Sequence, residues 1–401
     1  MSKQPTEETP STELTIDEDR AIETAMRLLR VPGVSCHEQA IAETIVDLLA
    51  EAGAPRQRMR FDNAHKKSPY GGECGNLVVN IPGSSRAPRR LLMAHVDTVP
   101  ICRDARPVRR RNHITSEAET GVGADNRSGV GAVLTAAIEI LDGDLPHPPL
   151  TLLFTVQEEI GLVGARFVDL RYLGRPKFAF NWDGGDPNCL EIGATGGFHL
   201  EIDVAGIPAH AGGQPERGVS AAMITALALA DLQENGWFGL VMKDGVRGTS
   251  NIGVIEGGEA TNVVLDRLHL EGECRSFSKS LRCRIASNYR KAFERAAKTL
   301  TSSEGRRGTV RFQSEKKYEA FKLSKKDPSV SEAVRVLHGL DLRPTIEYSN
   351  GGLDANWLAE RGLHVVTLGA GTVNAHTTDE KLDIPQYLAG CRIALGLATG
   401  M

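Results

Sequence analysis

Residues 91–100 read LLMAHVDTVP, a continuous apolar run that ends around His95 and Asp97. Three more runs of this kind are LVVNI (77–81), TLLFTV (151–156) and KFAFNW (177–182). Continuous apolar strands are typical of a sheet that is buried on both faces. The segment GVGAVLTAAIEIL (129–141) predicts a buried helix between two of these strands. The predicted fold class is therefore α/β, with a sheet covered by helices.

The pattern changes near residue 196. In FHLEIDVAG (198–206), and again over 267–275, apolar and polar residues alternate, which is typical of an antiparallel sheet with one face open to water. Helical spacing over about 217–235 and 278–300 accompanies these strands, and the earlier pattern returns after about residue 315. We therefore predict an α/β domain over 20–195 and 314–401, interrupted by a smaller α+β domain over 196–313.

The N-terminal region divides into a tail and two helices. Residues 1–19 are rich in Pro, Thr, Ser and Glu and predict a disordered tail. Apolar residues at helical spacing predict helices over 17–30 and 37–52. Ser35, followed three residues later by Glu38, predicts a capping box at the start of the second helix.

The composition is that of a globular chain with about two domains of roughly 150 residues each. The chain has 401 residues, of which 41% are hydrophobic and 24% are charged. The formal net charge of −4 equals the charge of residues 1–20, which hold two basic and six acidic side chains. The rest of the chain is formally neutral, which gives no electrostatic reason to expect nucleic acid or an anionic membrane as a partner.

Cysteine usage and hydropathy favour a cytoplasmic location without membrane insertion. The seven cysteines are odd in number and scattered, as expected of reduced thiols. The first residues lack the apolar core of a secretory signal. The longest apolar stretch, AAMITALALA (221–230), is about half as long as a bilayer span.

Acids and histidines follow the predicted strands at five places. They are His95 with Asp97 in MAHVDTVP (93–100), Asp125 in GVGADNRSGV (121–130), Glu158 with Glu159 in TVQEEIGLVGA (155–165), Asp183 in FNWDGGDPN (180–188) and His376 in LGAGTVNAHTTDE (368–380). Each has an ordinary structural interpretation when taken alone, such as a helix cap or a solvated turn. Because open α/β sheets bind ligands at the ends of their strands, we expect these side chains to gather along one sheet edge.

Two histidines, two aspartates and a glutamate from this set suit a pair of metal ions. With one carboxylate shared, five nitrogen and oxygen donors make two sites of three protein ligands each, which leaves positions open for water as in a catalytic metal pair. Of Glu158 and Glu159, one can bind metal while the other acts as a base on bound water. Asp97 can orient the His95 ring as a hydrogen-bond partner.

The motifs HVDTVP, GADN, QEEIGLVGA and the closing histidine loop, in this order, resemble those of a zinc-dependent exopeptidase and deacylase family of the M20 type. That family includes peptidase T, glutamate carboxypeptidase, acetylornithine deacetylase and aminoacylase. The resemblance implies a zinc-binding catalytic α/β domain over 20–195 and 314–401, and a ferredoxin-like lid domain over 196–313 that forms a homodimer. Asp183 followed by two glycines looks most like the peptidase T branch.

The resemblance also implies which residues hold the metal ions. His95 and Asp183 would bind one zinc ion, Glu159 and His376 would bind the other, and Asp125 would bridge them beside a cis peptide bond to Asn126. Zinc is the expected metal, with cobalt or manganese as alternatives.

The same resemblance implies the groups that act on substrate. Glu158 would be the general base, with Asp97 steadying His95. In the lid, His210 would stabilise the oxyanion, often in the partner subunit's site. Asn262 and Arg275 would bind the substrate backbone and carboxylate.

The predicted function is a two-zinc hydrolase that cleaves a peptide bond in short peptides. A deacylase of N-acyl amino acids would use the same metals and the same base, and it remains an alternative. A metal-containing binding protein without turnover is disfavoured, because Glu158 beside Glu159 is needed only for chemistry.

Overall fold

The computed structural model describes residues 15–401. The predicted tail over 1–19 lies mostly outside this range. Over the described range the helices are α1 (Glu18–Leu29), α2 (Gln39–Glu51), α3 (Ala124–Asp142), α4 (Val163–Phe167), α5 (Ala221–Glu234), α6 (Lys279–Thr299), α7 (Pro328–Gly339), α8 (Asp354–Glu360) and α9 (Ile384–Thr399).

The strands are numbered in chain order over the same range. They are β1 (Met59–Phe61), β2 (Leu77–Ile81), β3 (Arg90–His95), β4 (Pro107–Arg109), β5 (His113–Ser116), β6 (Leu150–Thr155), β7 (Phe178–Trp182), β8 (Cys189–Ala194), β9 (Gly196–Ala205), β10 (Gly239–Lys243), β11 (Val246–Glu256), β12 (Arg267–Ser276), β13 (Thr309–Tyr318), β14 (Phe321–Lys322), β15 (Thr345–Ser349), β16 (Val366–Leu368), β17 (Thr372–Val373) and β18 (Lys381–Asp383).

The chain divides into two units. The first unit comprises the described residues up to Ile192 together with Leu323–Glu347 and Leu363–Met401. The second unit comprises Gly193–Lys322 and Tyr348–Gly362. The predicted roles of the two domains, catalytic and lid, stay predictions at this point.

The first unit is built on a mixed sheet with the strand order β1-β2-β6-β3-β7-β16-β8. The central strands β6, β3, β7 and β16 run parallel to one another, and β2 and β8 pair with them antiparallel. Every residue of β3 and β6 is buried, so both faces of the sheet are covered. Helix α3 packs on β3 and β7 and contacts α1 and α9. The predicted α/β class is confirmed.

The second unit is an α+β fold on a five-stranded antiparallel sheet with the order β10-β11-β12-β9-β13. The chain order β9–α5–β11–β12–α6–β13 gives the βαββαβ topology of ferredoxin-like domains. Helices α5 and α6 pack together and bury one sheet face, whose core includes Leu200, Ile202, Leu270 and Phe293. The alternation predicted over 198–206 and 267–275 is confirmed in β9 and β12.

The capping box predicted for the second helix is wrong. Helix α2 begins at Gln39, one residue after Glu38, and the Glu38 side chain makes no capping hydrogen bond; the Glu73 carboxylate accepts the Gln39 N–H at 3.3 Å instead. The Ser35 hydroxyl instead donates to Asp97 at 2.6 Å. The carboxylate of Glu38 accepts backbone N–H groups from Cys36 and Gln157. Both side chains of the predicted capping box therefore bond to other partners.

The hairpin β10–β11 has no counterpart in the sequence analysis. Asp244 and Gly245 form its two-residue turn, with φ of 53° and 75°, and Lys243 pairs with Val246. An Asp-Gly pair between two apolar runs favours this type of turn, so the signal was present in the sequence.

Candidate metal centre

The parallel strands of the first unit deliver the predicted donors to one sheet edge. His95 is the last residue of β3 and Asp183 follows β7 directly. Glu158 and Glu159 follow β6 after a short turn, in which Gln157 has a positive φ of 54°. Since carboxyl ends of parallel strands meet at the same edge, the fold itself brings these side chains together.

The remaining two donors come from loops. Asp125 lies in the first turn of α3, where its backbone is not helical, and His376 lies between β17 and β18. The peptide bond between Asp125 and Asn126 is cis, as the family resemblance implies. The structure thus brings all five predicted metal ligands into one cluster.

The distances define two overlapping groups of donors. His95 Nε2 lies 3.2 Å from Asp125 Oδ1 and 3.4 Å from Asp183 Oδ1. His376 Nε2 lies 3.0 Å from Glu159 Oε1 and 3.3 Å from Asp125 Oδ2. Within each group the donor atoms lie within 4.8 Å of one another, which is a spacing that could hold an ion.

Asp125 belongs to both groups through different oxygens. Its Oδ1 faces His95 and its Oδ2 faces His376. A carboxylate with each oxygen turned toward a different donor group has the geometry of a bridging ligand.

Asp97 contacts the side of the His95 ring that faces away from the other donors. His95 Nδ1 lies 3.1 Å from the Asp97 carbonyl and 3.4 Å from its carboxylate, which leaves Nε2 for the cluster. The Asp97 carboxylate also accepts the backbone N–H groups of Glu158 at 2.9 Å and Glu159 at 3.1 Å. Asp97, which is fully buried, therefore holds the His95 ring mainly through its carbonyl and the acidic turn after β6 through its carboxylate.

Glu158 lies beside the cluster and is partly buried. A carboxylate oxygen of Glu158 lies within 4.8 Å of donor atoms of His95 and Glu159. This position next to the donors is compatible with a base that acts at the metal centre.

The sequence analysis missed Glu380 as a supporting residue, and it missed the supporting contact that Asn126 makes. Glu380 is buried, and its carboxylate accepts the backbone N–H of Gly123 at 2.7 Å and of Asp125 at 2.8 Å. The Asn126 amide donates to the Trp182 carbonyl at 2.6 Å, which ties the Asp125 turn to the end of β7. For Glu380, the sequence offered one signal: this acid lies four residues after His376, at the end of the loop LGAGTVNAHTTDE (368–380).

The cluster contains more carboxylates than imidazoles, so its surroundings are negatively charged. Burial opposes ionisation of His95, but the carboxylates of Asp183 and Asp125 raise its pKa well above the usual value. Hydrogen bonds to Asp125 and Glu159 raise the pKa of His376 to about 10. Burial raises the pKa values of Asp183 and Glu159. Positive charge is therefore strongly favoured at this position, which is what a bound cation would supply.

The other predicted residues lie in the second unit. His210 is exposed, and its Nδ1 accepts the backbone N–H groups of Gly212 and Gly213 at 3.2 and 3.0 Å. This arrangement places the ring proton on Nε2 in the neutral imidazole, where it can be donated. Asn262 is exposed on the neighbouring segment, and its carbonyl accepts the Ala211 N–H at 2.8 Å.

Arg275 lines a small cavity of about 230 Å³ in the second unit, together with Arg247 and Tyr348. Its guanidinium is held by two hydrogen bonds to Glu273, at 2.7 and 2.8 Å. A guanidinium fixed in this way is preorganised to receive a carboxylate.

The donor set fits divalent metal ions. Two imidazoles and three carboxylates without any thiolate suit zinc, cobalt or manganese, and the shared Asp125 suits a pair of ions. An α/β sheet that gathers such donors at its carboxyl edge defines the class of metal-dependent hydrolases.

A family model confirms this class and makes it specific. Peptidase family M20/M25/M40 matches residues 91–399, and the chain belongs to this family. It is a hydrolase that acts on peptide bonds.

Similar proteins are found among both sequences and solved structures. Peptidase T of Vibrio cholerae is 28% identical over 303 residues, which cover 72% of this chain and 67% of that protein. The crystal structure of a tripeptidase from Staphylococcus aureus is 28% identical, with a TM-score of 0.85, over 96% of this chain and 98% of that one. The aminopeptidase PepT of Bacillus cereus is 27% identical, with a TM-score of 0.79 and the same coverage.

Within residues 15–401, no helix is both long enough and apolar enough to cross a bilayer.

Proposed function

We propose that this protein is an exopeptidase that removes a residue from short peptides, in the manner of peptidase T, with two divalent metal ions at the centre around Asp125. The observation that carries the proposal is the pair of donor groups that share Asp125, one completed by His95 and Asp183 and the other by Glu159 and His376. Three protein ligands for each ion leave coordination positions for substrate and water, which is typical of a catalytic centre.

Zinc is the proposed metal, with cobalt or manganese as alternatives. The mixed imidazole and carboxylate donors support zinc, and the buried negative charge supports divalent cations in general. When bound, the two ions would polarise the scissile carbonyl and lower the pKa of water. The protein itself would supply the ligands of the two ions and the groups that accept and donate protons.

Glu158 is the proposed general base. It lies beside both donor groups without being needed as a ligand to either, and Asp97 fixes its backbone. Its carboxylate would accept a proton from the attacking water and deliver it to the leaving amine. Asp97 would keep the His95 ring oriented during this exchange.

The second unit is the proposed lid, and its residues are the proposed substrate contacts. The Nε2 proton of His210 supports a role as donor to the developing oxyanion, a contribution of about 3–4 kcal/mol for a well-placed donor. The fixed guanidinium of Arg275 supports recognition of a substrate carboxylate, and the exposed amide of Asn262 supports a contact to the peptide backbone.

Peptide substrates are proposed ahead of N-acyl amino acids. The support comes from the relatives, since one solved neighbour is described as a tripeptidase and another as an aminopeptidase. A panel of tripeptides, dipeptides and N-acetyl amino acids, assayed with added zinc, cobalt or manganese, tests the choice. Preferential cleavage of N-acetyl amino acids would identify a deacylase instead.

Replacing Glu158 tests the mechanism. Glu158→Gln removes the base and leaves the five proposed ligands in place, so kcat on a cleaved tripeptide should fall by about 10²–10⁴-fold with metal content retained. Glu119→Gln, at an exposed position of the same unit, is the control and should keep full activity. Unchanged turnover in Glu158→Gln would exclude Glu158 as the base.

The seven cysteines, which are all free thiols in the structure, support a proposed cytoplasmic location. The proposed partners are short peptides and a second copy of the chain.

A further inference from the structure

The open face of the second unit's sheet carries a group of charged side chains. Helices α5 and α6 cover the face that holds Leu200 and Leu270. Because side chains alternate along a strand, Glu201 and Asp203 on β9 and His269 on β12 lie on the opposite face. None of these residues belongs to the centre in the first unit.

The strand register brings this group together. Asp203 pairs directly with His269, and Glu201 pairs directly with Glu271. On the other side of β12, Glu256 of β11 pairs with His269. Across the strands, His269 therefore lies between Asp203 and Glu256. Two positions further along β12, Glu271 lies opposite Glu201.

The distances are those of a potential ligand set. His269 Nδ1 lies 2.8 Å from Asp203 Oδ1, and its Nε2 lies 3.5 Å from Glu271 Oε1. Donor atoms of Glu201, Asp203 and His269 all lie within 4.8 Å of one another. All three residues are partly buried, so their side chains are held by the sheet but remain accessible to solvent.

The carboxylates at this position outnumber their nearby basic partners, one of which is His199, with its Nε2 3.8 Å from Glu271 Oε2. Like charges directly opposite each other on neighbouring strands, such as Glu201 and Glu271, are destabilising. The Arg311 guanidinium lies 4.0 Å from the far oxygen of Asp203 and compensates one carboxylate. Hydrogen bonding to Asp203 raises the pKa of His269, which reflects the same negative surroundings.

An open cleft of about 680 Å³ lies over one end of this group. Asp203 and His269 form part of its wall, together with three further acids and one arginine: Glu256, Glu259, Asp266 and Arg267. The cleft gives a hydrated ion a path to the donors, and its acidic lining favours cations over anions.

We propose that Glu201, Asp203 and His269 bind a divalent transition-metal ion on the open face of this sheet, separate from the catalytic centre. One imidazole nitrogen and two carboxylates are donors that zinc, cobalt and manganese accept, with water in the remaining positions. The ion would relieve the repulsion between Glu201 and Glu271 and would join β9 to β12. It would therefore stabilise the second unit, because it binds only the folded sheet.

The test is a comparison of zinc content in the full-length protein. The wild-type chain, His269→Asn, and Asp203→Asn are dialysed against one concentration of free zinc, and bound metal is measured by elemental analysis. Each variant should bind one zinc ion fewer per chain than the wild type. His338→Gln, which changes an exposed histidine on α7, is the control and should bind as much zinc as the wild type.

A second measurement separates this site from the catalytic centre. Added zinc should raise the unfolding temperature of a His95→Asn, His376→Asn double variant, in which each proposed catalytic ion lacks its imidazole ligand, and this shift should become clearly smaller when His269→Asn is added. Equal zinc content in wild type and the two lid variants would overturn the proposal, whatever the catalytic centre binds. Such a result would leave Asp203 and His269 as an ordinary ion pair.

Discussion

Glu38 supports the candidate metal centre without belonging to either of its donor groups. It is fully buried, and its Oε1 accepts backbone N–H groups from Cys36 at 2.8 Å and from Gln157 at 3.1 Å. Burial, together with the charge of Asp97, raises the pKa of Glu38 to about 7. Gln157 precedes Glu158, so this carboxyl group supports the acidic turn after β6.

The raised pKa of Glu38 predicts a pH dependence of stability. Between the ordinary value of 4.5 and about 7, the folded chain holds a proton at Glu38 that the unfolded chain has lost. The free energy of unfolding should therefore decrease as the pH rises through this window. Glu38→Gln stays uncharged and should remove this contribution, which is about 1–3 kcal/mol.

Urea denaturation of the metal-free chain at several pH values from 4.5 to 7 measures this effect. Glu43→Gln, at an exposed position of the helix α2 that follows Glu38, should keep the wild-type slope of stability against pH. A Glu38→Gln variant with that same slope would contradict the assignment.

At the residue scale, the proposed donors and the support from Asp97 were predictable, whereas the supporting roles of Glu38 and Glu380 were not. His95, Asp125 and Asp183 stand next to apolar strands or glycine turns, where unpaired acids and imidazoles are conspicuous. Glu38 and Glu380 act by accepting backbone N–H groups from segments far away in the chain. Backbone groups carry no signal in the sequence, so such partners become visible only in the fold.

At the element scale, the non-helical turn at the start of α3 depends on contacts from distant residues. Gly123 adopts a positive φ of 78°, and Asp125 and Asn126 are not helical although they lie within α3. Glu380 holds this turn through two backbone hydrogen bonds. Asp125 can therefore present both oxygens only while the turn keeps its shape.

We expect Glu380→Gln to weaken metal binding rather than to abolish catalysis. The glutamine amide can accept with one atom only, so one backbone N–H of the turn loses its acceptor. Changes to groups that orient ligands typically cost about 10–100-fold in metal affinity. Competition with a chelator measures the affinity, and kcat at saturating metal should change much less.

Asp379→Asn is the matched control for this experiment, because it changes an exposed neighbour in the same loop. Its metal affinity should equal that of the wild type. Wild-type affinity in Glu380→Gln would show that the turn holds Asp125 without this carboxylate.

The elements themselves were predicted to different degrees. Strands β2, β3, β6 and β7 were found because all of their residues are apolar or nearly so, as burial on both faces requires. Strand β11 contains two glycines and several exposed residues, so its composition gives no clear pattern. Pairing with β12 over the length of the strand, rather than local preference, determines its conformation.

At the scale of the whole molecule, the second unit presents apolar surface that supports the proposed homodimer. Strand β10 is an edge strand, and Leu240 and Met242 on one of its faces are 61% and 53% exposed. On α5, Met223 is 51% and Leu227 is 38% exposed, one turn apart. Apolar residues on an unpaired edge and on a helix are characteristic of an interaction surface.

A charge on this edge should break the dimer. Met242→Glu places a carboxylate where the partner's apolar surface would pack, and we expect the dissociation constant to rise by about tenfold or more. Light scattering at several protein concentrations measures the oligomeric state. Phe61→Glu, on edge strand β1 of the first unit, is the control and should leave the dimer intact.

A dimer of wild-type strength in Met242→Glu would place the interface elsewhere, and a monomeric wild-type protein would exclude the homodimer altogether.

Asp125 is proposed to bridge two divalent ions, and the number of ions bound per chain is the sharpest measure of such a bridge. The measurement is made in the His269→Asn background, so that the site proposed on the second unit contributes nothing. We predict two ions per chain in this background, with both affinities strongly reduced by Asp125→Asn because each ion loses a ligand. A single tightly held ion, or two ions held as tightly after Asp125→Asn, would exclude Asp125 as a bridging ligand.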